Sequence, residues 1–305
     1  SSRLLQVSVE AGKILKLKDI GGNIMVDIVK KKIDFDSLGA WLGLAIHIAF
    51  SRRFRCGMEL FRYLYLWVQD KNFPILVKSK TERAKLTKFI KAIIILLSRQ
   101  APMIFKRGQI AHQTVHAFTD ASGESIEDET GPSIGGMNFF PDGTIIAWTK
   151  QFKFREVASL ASREDEFDII FFEVLAAFIN VVTLAEYVIN KIFRIFLCEH
   201  IDNTCAVFSY VKGDSKCDGV LNTVIASTLV KAELEIMSYY DYIISEVNIG
   251  DAMTRTMSKD ECQEKSRKFQ RAMEIFKPDM VLPVCDCIDA IVNKPVEEWR
   301  DELSM

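Results

Sequence analysis

The sequence lacks any apolar run that could cross a membrane as a helix. The two best stretches are Leu38–Phe50, which is too short, and 169–189, which is interrupted by Glu173 and Glu186. The N-terminus also lacks the basic-then-apolar start of a secretory signal. These absences predict an intracellular protein, cytoplasmic or nuclear, that has no membrane as a partner.

The sequence also lacks paired cysteines. Its seven cysteines are odd in number and irregular in spacing, and no CxxC pair occurs among them. Free thiols in a reducing compartment are the simplest interpretation. Cys285 and Cys287 could contribute to a soft-metal site, but no second cluster of His or Cys accompanies them, which favours ordinary loop cysteines.

The net charge is small, but the charges are unevenly distributed along the chain. The 305 residues carry a net charge of −2, with 49% apolar and 26% charged residues, which is an ordinary globular balance. Residues 1–110 hold 21 Lys and Arg against 8 Asp and Glu, a net of +13, so the remainder holds 18 against 33, a net of −15. This asymmetry predicts an N-terminal surface for a nucleic-acid backbone. Charge pairing between the two parts is the alternative, and it stays open.

The first part of the chain, residues 1–109, is predicted to be a mostly helical, basic region. Apolar periodicity predicts helices over 34–50, 57–70 and 81–98, with Asp36 or Ser37 as the first N-cap and Thr81 as the last. A basic turn between the first two helices is either solvated or contacts phosphate, and its cations are Arg52, Arg53 and Arg55.

The pattern changes near residue 110 and predicts an α/β domain over 110–277, followed by a tail over 278–305. Pro141-Asp142-Gly143 predicts a hairpin turn, and 167–189 is apolar nearly all round, as in a buried helix. The remaining elements are strands over 110–119, 192–201 and 239–247 and helices over 218–237 and 258–276. This alternation predicts a mixed sheet covered by helices.

Four carboxylates are placed where this domain would bring them together. Asp120 and Asp202 would end two strands, Glu173 lies on the buried helix, and Asp251 would open the last helix. Acids this close repel one another and raise their pKa values, which a divalent cation would relieve. Two Mg²⁺ ions, or Mn²⁺ in their place, would support phosphodiester hydrolysis.

Each of these acids has a simpler interpretation when it is taken alone. An Asp at a strand end is usually a turn or cap residue. Glu173 is more unusual, because a carboxylate within an apolar helix needs a compensating partner. The set of four, in this order and context, favours the metal site.

The four acidic segments resemble those of the ribonuclease H domain of retroelement reverse transcriptases, most closely the DIRS-like elements. The segments that carry the resemblance are Thr-Asp-Ala-Ser at 119–122, Glu-Val-Leu-Ala-Ala at 173–177, Ile-Asp-Asn at 201–203 and Ser-Glu-Val-Asn-Ile-Gly-Asp-Ala-Met-Thr-Arg at 245–255. The region upstream is similar to the thumb/connection stretch that precedes such domains, so the resemblance covers about residues 10–276.

The resemblance implies a five-stranded mixed sheet of order 3-2-1-4-5 flanked by helices, and Mg²⁺-dependent cleavage of the RNA strand of an RNA–DNA hybrid. It implies that Asp120, Glu173, Asp202 and Asp251 are the catalytic metal ligands. Selection of the RNA strand would depend on its 2′-OH groups. Candidates for sugar and phosphate contacts are Asn203, Lys212, Ser215 and Lys216.

Two features depart from the family pattern, and a third concerns the polymerase part that precedes such domains. The stretch 239–242, before the last acid, has no His, and the nearest one, His200, is expected to pack rather than to move protons. The loop after Asp120 is acidic, with Glu124 and Glu127 among its residues. No Asp-Asp pair occurs, so a polymerase site of the Tyr-x-Asp-Asp kind is missing, and the chain is interpreted as the C-terminal piece of a reverse transcriptase or a host protein derived from one.

Three functions stay open on the sequence alone. The first is the hydrolase, with an RNA–DNA hybrid or other nucleic acid as substrate and the polymerase part or a host protein as partner. The second is a retroelement-derived scaffold that binds nucleic acid or protein and has a vestigial site. The third is a related nuclease that acts on DNA junctions.

Overall fold

In the computed structural model the described residues are 4–7, 11–50, 58–69, 79–99, 103–106, 112–123, 130–153, 169–188 and 194–255, with 260, 261, 264 and 267. The chain divides into two compact units, one of residues 1–111, 211–214 and 224–237 and one of residues 112–210, 215–223 and 238–305. The domain boundaries expected from the sequence stay predictions. Within the described ranges, no helix is long and apolar enough to span a membrane.

The first unit is mostly helical, as the apolar periodicity predicts. Within residues 1–111 its elements are β1 (Leu4–Val7), α1 (Ala11–Val29), α2 (Phe35–Phe50), α3 (Glu59–Gln69), α4 (Lys80–Arg99) and β2 (Met103–Lys106). β1 and β2 pair antiparallel as a separate two-stranded sheet. The three helices predicted over 34–50, 57–70 and 81–98 are therefore confirmed to within two residues at each end.

Close helix packing in this unit depends on Gly21 and Trp41. The Trp41 side chain is fully buried, and its indole N–H donates to the carbonyl of Leu17 at 2.9 Å. A Cβ on Gly21 would lie 2.8 Å from Cδ1 of Ile94 and 2.9 Å from Nε1 of Trp41. Only glycine therefore allows α1 to approach both neighbouring helices this closely.

Two predicted N-caps are wrong by a few residues. Asp34 accepts hydrogen bonds from the backbone N–H (3.0 Å) and hydroxyl (2.9 Å) of Ser37, so Asp34 caps α2 rather than Asp36 or Ser37. The hydrogen bonds from Ser37 hold the pKa of Asp34 below its ordinary value. Ser79 accepts from Glu82 before α4, which places Thr81 inside that helix. Runs of adjacent polar residues offer several caps, and the sequence does not identify the one that is used.

The second unit is built on one mixed sheet of five strands. These are β3 (His112–Ser122), β4 (Thr130–Phe139), β5 (Ile145–Lys153), β6 (Arg194–Ile201) and β7 (Met237–Tyr242), in the order β5-β4-β3-β6-β7. β3 pairs antiparallel with β4 and parallel with β6, and β4 pairs antiparallel with β5. Counted within this sheet the order is 3-2-1-4-5, which confirms the ribonuclease H-like fold.

The remaining elements are α5 (Ile169–Val188), α6 (Thr204–Lys212), α7 (Asp218–Glu233) and two 3₁₀ turns, Ser245–Val247 and Ile249–Met253. α5 is the predicted buried helix and lies against β3 and β4. The predicted hairpin turn joins β4 to β5, and Gly143 adopts the φ of +84° that favours glycine. α6 was not predicted, because it is short and directly follows a strand.

The end of α7 and the last strand differ from the sequence prediction. α7 ends at Glu233 rather than near Met237, since Glu235 adopts a left-handed φ of +57° and the N–H of Ile236 bonds to the carbonyl of Lys231. β7 consequently begins at Met237 and ends at Tyr242. The acidic loop after Asp120, the three arginines of the basic turn, the tail and most of the predicted helix 258–276 lie outside the described residues.

Candidate metal centre

Two carboxylates lie side by side because two parallel strands end at the same edge of the sheet. Asp120 is near the end of β3, and Asp202 follows the last residue of β6. The register pairs Thr119 with Ile201, so the next residue is Asp120 on one strand and Asp202 on the other. Topology therefore brings both acids to one point, as the sequence predicts.

Glu173 reaches the same point from α5. Ala176 and Ala177 are fully buried, and their small side chains allow the helix to lie close to the sheet. The backbone N–H of Ala121, one residue beyond Asp120, hydrogen bonds to the Glu173 carboxylate. The carboxylate thus approaches the ends of the two strands from the helix layer.

A buried polar network fixes α5 against β4 and β5. Oδ1 of Asn180 accepts from Nδ2 of Asn138 at 2.7 Å and from Nε1 of Trp148 at 2.8 Å. Nδ2 of Asn180 donates in return to Oδ1 of Asn138 at 2.8 Å. Asn180 lies two turns beyond Glu173 on the same face of α5, so this network also fixes the rotation that aims Glu173 at the site.

Together these elements form a three-carboxylate cluster of Asp120, Glu173 and Asp202. One oxygen from each lies within 4.8 Å of the others. Asp120 and Glu173 are buried, with exposed fractions of 0% and 4%, while Asp202 is half-buried. The cluster therefore opens to solvent on the Asp202 side.

Asp251 comes to the site on a 3₁₀ turn rather than at the start of a helix. Nδ2 of Asn248 donates to the carbonyl of Thr119 at 3.1 Å, and its Oδ1 accepts from the N–H of Gly250 at 2.9 Å. Asn248 therefore fastens the turn to β3, one residue before Asp120. Asp251 is 3% exposed.

Hydroxyl groups on the sheet hold the rest of this segment, which we call the strap (residues 248–254). Thr149 donates to the carbonyl of Met253 at 2.6 Å, and Ser133 donates to the carbonyl of Thr254 at 2.8 Å. The strap lies so close to β4 that a Cβ on Gly135 would overlap Met253. Non-local side-chain bonds, rather than a regular helix, thus position Asp251.

Two further residues at the site, Thr254 and Arg255, were not singled out from the sequence. The hydroxyl of Thr254 donates to Oδ2 of Asp120. Nη2 of Arg255 lies 3.5 Å from Oδ2 of Asp120 and 3.3 Å from Oδ1 of Asp251. The four-residue spacing of Arg255 from Asp251 was the available signal, because residues so spaced meet on a helical turn.

The electrostatics of the site oppose ionisation of its buried acids. Burial, together with the charge of Asp251, raises the pKa of Asp120 to about 6, against the opposing hydrogen bond from Thr254. Burial and the charge of Asp120 raise the pKa of Glu173 well above its ordinary value. Although burial lowers the pKa of Arg255, the carboxylates of Asp120 and Asp251 outweigh it and raise that pKa. The site is therefore short of positive charge.

The donor set fits a hard divalent cation such as Mg²⁺ or Mn²⁺. All three members of the cluster offer oxygen, which these ions prefer. Among the described residues, no hydrogen-bond donor reaches Oδ1 of Asp120 or Oε2 of Glu173, although both atoms are buried. Buried carboxylate oxygens need a partner, and a cation bound between them would supply it.

His200 packs within the sheet, as expected. It is 2% exposed, its Nε2 lies 3.0 Å from Nδ1 of His116, and its ring stacks on Phe118. Its other ring nitrogen, Nδ1, lies 3.5 Å from a carboxylate oxygen of Asp241. These contacts hold the ring in place beneath the site.

The residues predicted to contact sugar or phosphate have varied local roles. Oδ1 of Asn203 accepts from the N–H of Ala206 at 3.1 Å and caps α6, and the hydroxyl of Ser215 accepts from the N–H of Cys217 at 3.1 Å. Lys212 and Lys216 are exposed. Their contacts with nucleic acid stay predictions, as do those of the three arginines in the basic turn.

Comparisons with known proteins give similarity at the level of structure alone. The sequence matches no protein-family model and no curated protein. Similar solved structures include RNase H1 from the halophilic archaeon Halobacterium salinarum NRC-1 (14% identity, TM-score 0.35) and LC11-RNase H1 isolated from compost by a metagenomic approach (13%, 0.35). A third is the N-terminal RNase H domain of a Mycobacterium tuberculosis protein, solved as a fusion with maltose-binding protein (10%, 0.35). Each covers 46% of this chain, and the matches span 94%, 92% and 95% of those chains respectively. The function of this chain therefore has to be inferred from its own side chains.

Proposed function

We propose that this chain is a divalent-metal-dependent endonuclease of the ribonuclease H type, which hydrolyses the RNA strand of an RNA–DNA hybrid. The observation that supports this most directly is the three-carboxylate cluster, in which two buried oxygens have no donor among the described residues. A buried cluster of acids lowers the stability of the folded protein, and the binding of a cation is the simplest function that would explain it.

The residues of the site have separable roles in this proposal. Asp120, Glu173 and Asp202 would hold one cation, and Asp251 with Asp120 would hold a second. Bound Mg²⁺ would supply Lewis-acid polarisation of the phosphate and a more acidic water. The polar network around Asn180 and the strap fix the geometry that the carboxylates need, and Thr254 orients Asp120 through its hydroxyl.

Substrate binding is proposed to depend on positive charge outside the cluster. Residues 1–110 have a net charge of +13, which suits a nucleic-acid backbone, and Arg52, Arg53 and Arg55 belong to this region. Asn203, Lys212, Ser215 and Lys216 are the proposed sugar and phosphate contacts. The chain is proposed to be the C-terminal part of a reverse transcriptase or a protein derived from one.

Cleavage of a labelled RNA–DNA hybrid in Mg²⁺ or Mn²⁺ tests this proposal, with wild type and Asp202→Asn compared. The substitution keeps the side-chain shape and removes the charge, and Asp202 is half-buried, so folding should survive. We expect RNA-strand cleavage to fall at least about 100-fold, because loss of a group that only hydrogen-bonds to a metal ligand already lowers metal affinity or activity 10- to 100-fold. Asp260→Asn, which removes an exposed carboxylate, is the matched control.

The choice of substrates separates the other two functions. Preference for a four-way DNA junction over the hybrid would indicate the junction nuclease. Hybrid binding by folded protein without cleavage in either metal would contradict the hydrolase and indicate the scaffold with a vestigial site.

A further inference from the structure

The two places where a cation could sit in this site are not equivalent. Asp120, Glu173 and Asp202 face one another within 4.8 Å, and no Lys or Arg among the described residues forms an ion pair with Glu173 or Asp202. The gap between Asp120 and Asp251 differs, because Arg255 reaches both of these carboxylates. Arg255 thus forms ion pairs at the Asp120–Asp251 position, while its charge acts on Asp202 without an ion pair.

Arg255 is held at this place by its own backbone as well as by its charge. Its N–H donates to the carbonyl of Asp251 at 3.0 Å, which closes a single α-type turn after the 3₁₀ turn. The guanidinium then lies 3.3 Å from Oδ1 of Asp251 and 3.5 Å from Oδ2 of Asp120. Its side chain is 51% exposed, so it can swing into solvent without unfolding the strap.

We propose that Arg255 is a built-in counter-ion for the Asp120–Asp251 position, and that a divalent cation binding there must displace it. This inference rests on the proposed metal site. It makes Arg255 a competitor of the metal at the Asp120–Asp251 position. The guanidinium carries one charge and is half-exposed, while a divalent ion carries two. The ion therefore displaces it, but binds more weakly than it would to the same carboxylates alone.

The proposal fixes the signs of two measurable effects. Without metal, removing Arg255 leaves Asp120 and Asp251 with less compensation, so the protein should melt at a lower temperature. With metal, the ion no longer competes with the guanidinium, so binding at the weaker of the two positions should tighten. If Arg255 merely supported the fold, its removal would lower both the melting temperature and the metal affinity.

Mn²⁺ titration by calorimetry, with bound ions counted by electron paramagnetic resonance, tests the proposal on the whole chain. The variants are Arg255→Gln and the charge-retaining Arg255→Lys. Arg267→Gln is the matched control, because Arg267 is exposed and its ion pair with Glu264 is long, at 3.5 Å. We expect the weaker Mn²⁺ dissociation constant to fall about fivefold in Arg255→Gln, the size of a half-exposed ion pair. Arg255→Lys should lie in between, and Arg267→Gln should match wild type.

Unchanged or weaker Mn²⁺ binding in Arg255→Gln, with Arg267→Gln normal, would overturn the inference, as would a single bound ion in every variant. Hybrid cleavage alongside such a result would leave the proposed function intact. The expected tightening without any hybrid cleavage would support the counter-ion and refute the proposed function, so the two failures are distinguishable.

Discussion

Replacing Asp120 by Asn should stabilise the metal-free protein at neutral pH, although it removes a residue central to the site. Asp120 is fully buried, and its pKa is raised from an ordinary 3.8 to about 6. One pKa unit corresponds to about 1.4 kcal/mol, so ionised Asp120 lowers the free energy of unfolding by about 3 kcal/mol. Asn resembles the protonated acid in shape and avoids this cost.

The pH dependence of this stabilisation follows from the same shift in the pKa of Asp120. Between about pH 3.8 and pH 6 the folded protein keeps a proton on Asp120 that the unfolded chain has lost, so stability falls as pH rises through this window. Below the window both states are protonated and the difference vanishes. The advantage of Asp120→Asn should therefore be near zero at pH 3.5, grow to about 3 kcal/mol by pH 7, and remain constant above.

Urea unfolding in EDTA at several pH values measures this advantage, with hydrogen exchange of the β3 amides to report on the second unit alone. Asp19→Asn, which removes an exposed carboxylate from α1, is the control for loss of one charge. A variant that is less stable than wild type at pH 8, or an advantage that stays constant down to pH 4, would refute the reasoning. Saturating Mg²⁺ should reduce the advantage, since wild type gains about 2.7 kcal/mol at a concentration 100 times the dissociation constant.

Two further substitutions test how the site is held in place. Gly135→Ala should push Met253 and the strap away from β4, which should lower the free energy of unfolding by about 1–3 kcal/mol and weaken Mn²⁺ binding. Gly123→Ala is the control in calorimetry, because its Cβ would have no neighbour nearer than 4.0 Å. Equal Mn²⁺ affinity in the two variants would show that the strap does not position a ligand. Asn180→Leu should lower the free energy of unfolding by about 2–4 kcal/mol, because it leaves buried donors unpaired. Adding Asn138→Leu should recover part of that loss in urea unfolding, and a fully additive loss would contradict the network.

The sequence predicts those parts of the fold in which local pattern and burial agree. The apolar run of α5 with Glu173 inside it, the Pro141-Asp142-Gly143 turn and the two strands before Asp120 and Asp202 all lie close to their predicted positions. The strand order was expected from the family resemblance. Apart from the strand order, each of these features depends on a short stretch of sequence that determines its own conformation or carries an uncompensated charge.

The sequence does not predict the parts that depend on non-local hydrogen bonds. The strap takes its path from Ser133 and Thr149, more than a hundred residues earlier, so no pattern within 248–254 reveals it. Thr254 was missed for the same reason, since its partner Asp120 is remote in sequence, whereas Arg255 had a local signal in its four-residue spacing from Asp251. The caps of α2 and α4 were misplaced because several polar residues compete at each helix start.

The place of β3 in the middle of the sheet has a consequence for synthesis of the chain. The β3–β4–β5 meander can pair as soon as it leaves the ribosome, but one edge of β3 stays bare until β6 has been translated. An unpaired edge of a nascent sheet is a template for misassembly. The buried pair of His116 and His200 lies on β3 and β6, the two strands that later meet along this edge. The time needed to translate the chain from the end of β5 to the end of β6 therefore contributes to how long this edge stays exposed to misassembly.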